Sequence, residues 1–354
     1  MQRVVRITSG FQQEAPLDLA AGKVISQVFH QGWPDPAKIN SDSRQTALLL
    51  NEARNTFAKH LQVRSDEIEF LGEVNLGFHL GISGLLTSGN QLFISEVDKQ
   101  EIFAVGDNYQ NGGGVLHKVP VNKSGVIASF DSSSQDVISW QVANGETGII
   151  SLAAPTGSKV FADCTSSGVD YLPNFTYDTA LFDSRSWYGP SGLGILIVKE
   201  GAQWRNPLPH NDYQKTPNSF SIPLALASAV ALENYILKKQ DNLGYRELLL
   251  NTLDNAKIAY YTPNAANYLS KYLSLVFADL EADRLVLELE DMGFAVDSGS
   301  ACKSADMAPS HVLHAMGAKT TGNIRITFHL NTTMQQVQDL SDAIVTTVNK
   351  LRAV

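Results

Sequence analysis

The sequence has little cysteine, no cluster of positive charge and no long apolar run. Cys164 and Cys302 are its two cysteines in 354 residues. They lie far apart, which excludes a disulfide framework and makes reduced thiols the expectation. Lys and Arg total 27 against 36 Asp and Glu, a formal net charge of -9 with no basic run. The electrostatic footprint of a nucleic-acid binder is therefore missing, and no nucleic-acid partner is expected. The longest clean aliphatic stretch, Leu193 to Val198, is broken by Gly194, and residues 1–16 carry charge with no apolar stretch behind them. Neither feature suits a membrane segment, so a cytoplasmic protein is expected. Among eight histidines only His311 and His314 lie close together, and no second ligand cluster accompanies them, so no metal site is expected.

What is present is a globular composition, 44% apolar and 18% charged, in a chain long enough to bury a large core across two lobes. Short β-rich runs alternate with helical patterns, which predicts an α/β fold with crossover helices on a mostly parallel sheet. Seven runs read as strands of that sheet: Glu67 to Phe70, Gln91 to Glu96, Gly125 to Phe130, Gly148 to Ala153, Lys159 to Asp163, Thr179 to Phe182 and Gly192 to Val198. Most are apolar throughout, as strands covered on both faces are.

Leu50, Ala53, Phe57 and Leu61 recur at helical spacing behind Ser41-Asp42-Ser43, and a second helix is predicted from Ile222 to about Lys239. Trp204 to Asn218 reads as a loop between strand and helix. Beyond it, Lys257 to Tyr260, Tyr272 to Ala278, a helix from Glu281 to Met292, and Ala295 to Asp297 alternate again. A last helix begins at Thr332-Thr333-Met334-Gln335 and aligns Val337, Leu340, Ile344, Val348 and Leu351. These pieces predict a large domain over 14–240, and a smaller α+β domain made of 1–13 and 241–354.

The most distinctive stretch is Ser298-Gly299-Ser300-Ala301-Cys302-Lys303-Ser304-Ala305. A thiol among small residues and beside a lysine suits a movable loop whose cysteine is favoured as thiolate. An ordinary Gly/Ser connection with an incidental cysteine accounts for the same residues equally well. This stretch, with its continuation Pro309-Ser310-His311-Val312-Leu313, resembles the catalytic loop of cysteine desulfurases and the helix after it. Ala53-Arg54-Asn55, Asp66-Glu67-Ile68-Glu69-Phe70, Asn144-Gly145-Glu146-Thr147-Gly148, Trp187-Tyr188-Gly189-Pro190 and Asn323-Ile324-Arg325 extend the likeness in order along the chain.

The resemblance implies a class V aminotransferase fold, that is, a fold type I pyridoxal-phosphate transferase. Its implied activity is removal of sulfur from L-cysteine to a persulfide on the loop cysteine, Cys302 here. It implies a homodimer, a sulfur-acceptor or iron–sulfur scaffold protein as partner, and pyridoxal 5'-phosphate as cofactor. Asp163 would pair with the pyridine nitrogen and keep the ring an electron sink. Asn144 would lie near the ring hydroxyl, and Ser166 aligns where the family keeps a glutamine. Thr216 would reach the phosphate of the other subunit, and Arg325 would clamp the substrate carboxylate with its planar fork. From the residues alone, Asp163 could be a strand-end cap and Arg325 a surface residue.

The likeness fails at the lysine that bears the cofactor. In Asp183-Ser184-Arg185-Ser186-Trp187-Tyr188-Gly189-Pro190, Ser186 takes its place and Arg185 that of the histidine before it. A serine hydroxyl cannot form an imine. The phosphate-cradling turn reads Leu71-Gly72-Glu73-Val74-Asn75, with a carboxylate where amides and hydroxyls are needed. The ring-stacking histidine is absent near Glu96-Val97-Asp98, and the amino-terminal motif has become Gly10-Phe11-Gln12-Gln13-Glu14-Ala15. Three functions follow as expectations. One is an active desulfurase, and another is a different class V reaction such as transamination or lyase chemistry. The third, favoured by the substitutions, is a relative with impaired or lost covalent catalysis that serves as a dimeric sulfur acceptor or iron–sulfur assembly partner through Cys302.

Overall fold

The computed structural model describes residues 9–209, 220–239, 242–299 and 309–353. Its centre is a seven-stranded sheet built from β2 (Ile68–Leu71), β3 (Gln91–Ser95), β4 (Val115–Val119), β5 (Val137–Gln141), β6 (Lys159–Asp163), β7 (Thr179–Asp183) and β8 (Gly194–Val198). The spatial order is β2-β8-β7-β6-β5-β3-β4. β8 runs antiparallel to both its neighbours, while β7, β6, β5, β3 and β4 pair in parallel. Strands β5 to β8 are buried at every position, as expected of a sheet covered on both faces. The α/β class and the mostly parallel seven-stranded sheet are those expected from the sequence.

Two of the seven strands are not the runs the sequence suggested. Gly125 to Phe130 and Gly148 to Ala153 contribute only isolated bridges, Val121 to Ile127, Ala143 to Ile150 and Ile149 to Tyr268. Their places are taken by β4 and β5. β4 is an edge strand whose Val-Leu-His-Lys-Val sequence is largely exposed, and β5 carries Ser139 and Gln141 into the core. Each disguises the all-apolar signature of a buried strand.

Helices α1 (Leu19–Val28), α2 (Ser41–Leu61), α3 (Val74–Ser83), α4 (Gln100–Asn111) and α5 (Ile222–Lys238) flank this sheet. In α2 the stripe Leu50, Ala53, Phe57 and Leu61 is buried, and Asn40 rather than the serine cluster caps its start. α3 crosses the sheet on glycines. An added Cβ at Gly81 would stand 2.5 Å from the Phe161 ring of β6, and one at Gly77 would stand 2.4 Å from Leu181 of β7. Small residues therefore set how closely α3 lies over the strands that carry Asp163 and Asp183.

A second apolar cluster gathers α6 (Leu243–Asn255), β9 (Tyr272–Val276), α7 (Ala282–Asp291), β12 (Asn323–Thr327) and α9 (Met334–Arg352). β11 (Asp297–Ser298), β12 and β9 form an antiparallel sheet, and α8 (His311–Ala315) precedes β12. β1 (Ser9–Gly10) pairs in parallel with β10 (Phe294–Ala295), and Phe11 is buried in this second cluster. Lys257 to Tyr260 forms no strand, and the capping box of α9 joins Thr333 to Gln336, one residue beyond the expected pair. Among the described residues no helix is long and apolar enough to cross a membrane.

Replacing Gly81 by Ala tests the close approach of α3. Removing a glycine from a helix interior normally stabilises by roughly 1 kcal/mol. Overpacking against a buried ring costs about 1–3 kcal/mol. The clash outweighs the gain in helix propensity, so Gly81→Ala is expected to lower the denaturation midpoint, measured by urea unfolding.

Candidate functional site

The carboxyl ends of β3, β5, β6 and β7 share one edge of the sheet, where parallel α/β folds place their ligands. Asp163 ends β6 and is 1% exposed. Its Oδ1 accepts from the Thr165 backbone N at 2.9 Å and from Thr165 Oγ1 at 2.6 Å, while Oδ2 has no hydrogen-bond partner. Because the one hydroxyl proton of Thr165 goes to Asp163, its lone pair is left to accept from Lys99 Nζ. Lys99 directly precedes α4, and its ammonium also lies 5.9 Å from the centre of the Phe78 ring.

Asp98 lies beside this chain of contacts, wholly buried, with Oδ2 accepting from Ser95 N at 2.9 Å and Oδ1 unpartnered. Burial, with the nearby Asp163 charge adding to it, pushes its carboxyl up to about 8, against the opposing pull of the Ser95 amide, the Ser139 hydroxyl and Lys99. Cys164 is also wholly buried, and burial together with Asp163 raises its thiol well above the usual range. It is an inert core thiol.

β7 ends at Asp183 and turns directly into a 3₁₀ segment, Ser184–Trp187. Arg185 folds back on Asp183, with Nη2 at 2.7 Å and Nε at 3.0 Å from Oδ2. The Ser186 hydroxyl donates to the Asp183 carbonyl at 2.8 Å. Trp187 is fully buried, and its indole N–H donates to Ser228 of α5 at 3.1 Å. Tyr188 adopts the left-handed region, with φ +65°, unusual for a bulky residue. Its hydroxyl holds it there by accepting from Leu330 N at 2.8 Å and pairing with His329 Nδ1 at 3.0 Å.

In front of these residues opens a cleft of about 770 Å³, bounded on one side by Lys99, Thr165, Arg185 and Ser186 and on the other by Tyr268, Lys271, Tyr272, Phe328 and His329. A buried charge network forms its far wall. Asp170 meets Lys271 at 2.7 Å and Lys239 at 3.2 Å, and accepts from the Tyr235 hydroxyl at 2.7 Å. Burial opposes the ionisation of both Asp170 and Lys271, but their mutual attraction outweighs it. The carboxyl is held below its usual value and the ammonium well above. Lys271 is thus a committed cation and a poor nucleophile.

The description Aminotransferase class-V matches residues 35–340. The chain belongs to the class V aminotransferase family. It is similar to a cysteine desulfurase IscS of Dictyoglomus turgidum, 24% identical over 369 residues that cover 96% of this chain and 93% of the relative. A cysteine desulfurase NifS of Azotobacter vinelandii is 25% identical over 360 residues, 92% of this chain and 88% of its own. Among solved structures a NifS-like protein superposes with a TM-score of 0.84 at 20% identity, over 97% of this chain and 100% of its own. An apo cysteine desulfurase from Thermococcus onnurineus superposes at 0.79 and 14%, over 98% and 95%. The fold is that of the fold type I pyridoxal-phosphate enzymes.

Among the class V site residues named from the sequence, Arg185 and Ser186 line the cleft, whereas Asn144, Asp163, Ser166 and Arg325 do not. The Asn144 side chain is consumed by its own loop, donating to Val97 O and Gln141 Oε1 and accepting from Glu146 N and Thr147 N. Ser166 Oγ is buried without a partner. Arg325 pairs across the sheet with Asp297, and its Nη1 stands 3.9 Å from the buried Glu146 carboxylate. Asn75 is exposed at the start of α3, its backbone N donating to Glu73 Oε1 at 3.0 Å. Cys302 and Thr216 lie outside the described residues.

The donor set does not fit pyridoxal phosphate. A Glu73 carboxylate caps the helix start that would have to receive the phosphate, so a second anion there would meet like charge. Asp163 is covered by Thr165, behind which stands an ammonium, and no base or amine is offered by Ser186. Sequence reasoning missed Lys99, Asp98, Asp170 and Lys271. Lys99 alone had a signal, because it follows a predicted strand end immediately before an amphipathic run.

The raised Asp98 carboxyl fixes a pH trend. Its folded value, about 8, lies above the ordinary 3.8, so the folded state holds one more proton between the two. That contribution to stability is complete below about pH 4 and is lost as pH rises toward about 8. Asp98→Asn is expected to flatten this slope, measured as the melting temperature across that range.

Lys271→Met should be costly for a different reason. It leaves Asp170 buried with a half-exposed Lys239 as its remaining ion-pair partner. A loss of about 3–5 kcal/mol is expected from denaturant unfolding.

Proposed function

We propose that this class V chain has lost imine-based catalysis and serves as a non-catalytic partner in sulfur mobilisation, receiving sulfur on Cys302 or supporting iron–sulfur assembly. One observation carries the reading. The residue before Trp187-Tyr188-Gly189-Pro190 is Ser186, whose hydroxyl is turned back onto its own strand end at 2.8 Å. An imine requires an amine, and none is supplied there.

Support for a sulfur role comes from the relatives, named cysteine desulfurases, and from the small-residue stretch around Cys302. As an acceptor, the Cys302 thiolate would attack the outer sulfur of a donor persulfide R–S–SH. The S–S bond breaks, R–S⁻ leaves, and Cys302 becomes the persulfide with no net oxidation. As in the family, the working form is proposed to be a homodimer. A scaffold or acceptor protein would be its partner.

A second reading, a surviving pyridoxal-phosphate desulfurase, is favoured by one feature, the presence of Lys99 in the cleft. The two separate in one experiment. Protein mixed with pyridoxal phosphate is treated with borohydride, digested and mapped, and alanine is assayed after addition of L-cysteine. We expect no stoichiometric adduct and no alanine. A reduced adduct on Lys99, or catalytic alanine release, would establish the second reading. Ser186→Lys alone is expected to leave alanine release absent, because Glu73 and Lys99 remain in place.

A further inference from the structure

Behind the Lys99 and Thr165 wall of the cleft lie two buried carboxyl groups, Asp163 and Asp98, which do not themselves line it. Asp163 Oδ2 has no hydrogen-bond partner among the described residues, Thr165 holds the other oxygen, Oδ1, and Lys99 stands behind Thr165 on the cleft side while its charge also acts on Asp98, beside which lies the Ser139 hydroxyl. Among the described residues the other neighbours that titrate are Cys164, wholly buried beside Asp163, Tyr177 beyond it, and His311 of α8, whose Nε2 lies 2.8 Å from the Asp98 backbone oxygen and not on either carboxyl. A buried carboxylate without a cation is strongly unfavourable. Lys99, half-buried, with its stem leading in from the start of α4 past the Phe78 ring, is placed to answer that need.

We propose that Lys99 is the built-in counter-ion of Asp163, and that it decides what the cleft can hold by excluding ligands with a protonated aromatic nitrogen. The carboxylate can satisfy one cation at its open side. A protonated pyridine ring entering there would have to displace the ammonium, and the two like charges repel across the shared partner. Lys99 thus acts as a specificity-determining residue through Asp163. The inference rests on the reading of the cleft as a disused cofactor seat. The two fail separately, since imine formation is read at residue 186 or on a trapped lysine, and the counter-ion by coupling without any aldehyde.

The test is a double-mutant cycle on the full chain with Lys99→Met, Asp163→Asn and the pair, followed by thermal unfolding. If the ammonium answers Asp163, each single variant melts lower than wild type and the double variant melts no lower than the worse single. The deficit of Lys99→Met should also grow as pH rises from about 6 to about 8.5, as the Asp98 carboxyl is forced to ionise without the nearby ammonium. Lys99→Arg should recover most of the loss. Additive, pH-independent losses would overturn the proposal.

Pyridoxine, which has the ring nitrogen but neither aldehyde nor phosphate, is the ligand probe. Saturable binding is expected at least about tenfold tighter in Lys99→Ala than in wild type. That gain should vanish when Asp163→Asn is added. Equal binding by wild type and Lys99→Ala, with both folded by circular dichroism, would also overturn it.

Discussion

A carboxylate buried at the end of a fully covered strand must find a positive charge, a proton or a set of donors, since burial removes the water that would otherwise solvate it. Asp163 occupies such a position on β6, and the surrounding structure is arranged to meet that demand. Thr165 turns its backbone and hydroxyl toward one oxygen, Lys99 reaches Thr165 from the start of α4, and burial pushes the Asp98 carboxyl up toward its neutral form. The parallel register of β3, β5 and β6 places these residues at one edge. Displacing any of them leaves a bare charge in an apolar setting.

The rest of the cleft follows the same rule of local satisfaction. Arg185 is tied to Asp183 and Lys271 to Asp170. Arg185 and Lys271 are thereby committed to partners within the chain, whereas Asp163 Oδ2, Ser166 Oγ and Arg325 Nε are buried without one among the described residues. The cleft and its surroundings therefore combine charged groups already paired within the chain with a few buried polar atoms that are not.

The class of fold was legible in the sequence because alternating apolar runs and helical stripes are local signals, and α2, α5, α7 and α9 lie where their periodicity put them. The strands β4 and β5 were not. His117 and Lys118 belong to an exposed edge, and Ser139 and Gln141 are polar groups carried inward by neighbours that the local pattern cannot see. At the site, the family motifs pointed to Asp163, Arg185 and Ser186 because they follow strand ends at recognisable spacing. The partnerships that define the cleft, Lys99 with Thr165 and Lys271 with Asp170, join residues 66 and 101 positions apart. No spacing rule reaches that far.

The pairing of Ser9–Gly10 with Phe294–Ala295 gives the C-terminal cluster an unusual dependence. Phe11, wholly enclosed there, is synthesised long before β10 and β12, which hold it. Its aromatic ring must stay without a home while the whole large sheet is made, and the closing of a contact over so much intervening chain is entropically slow. A late step of maturation is thus the stitching of an early segment onto a late one, and until then a sticky stretch of polypeptide is available to chaperones or to neighbouring nascent chains.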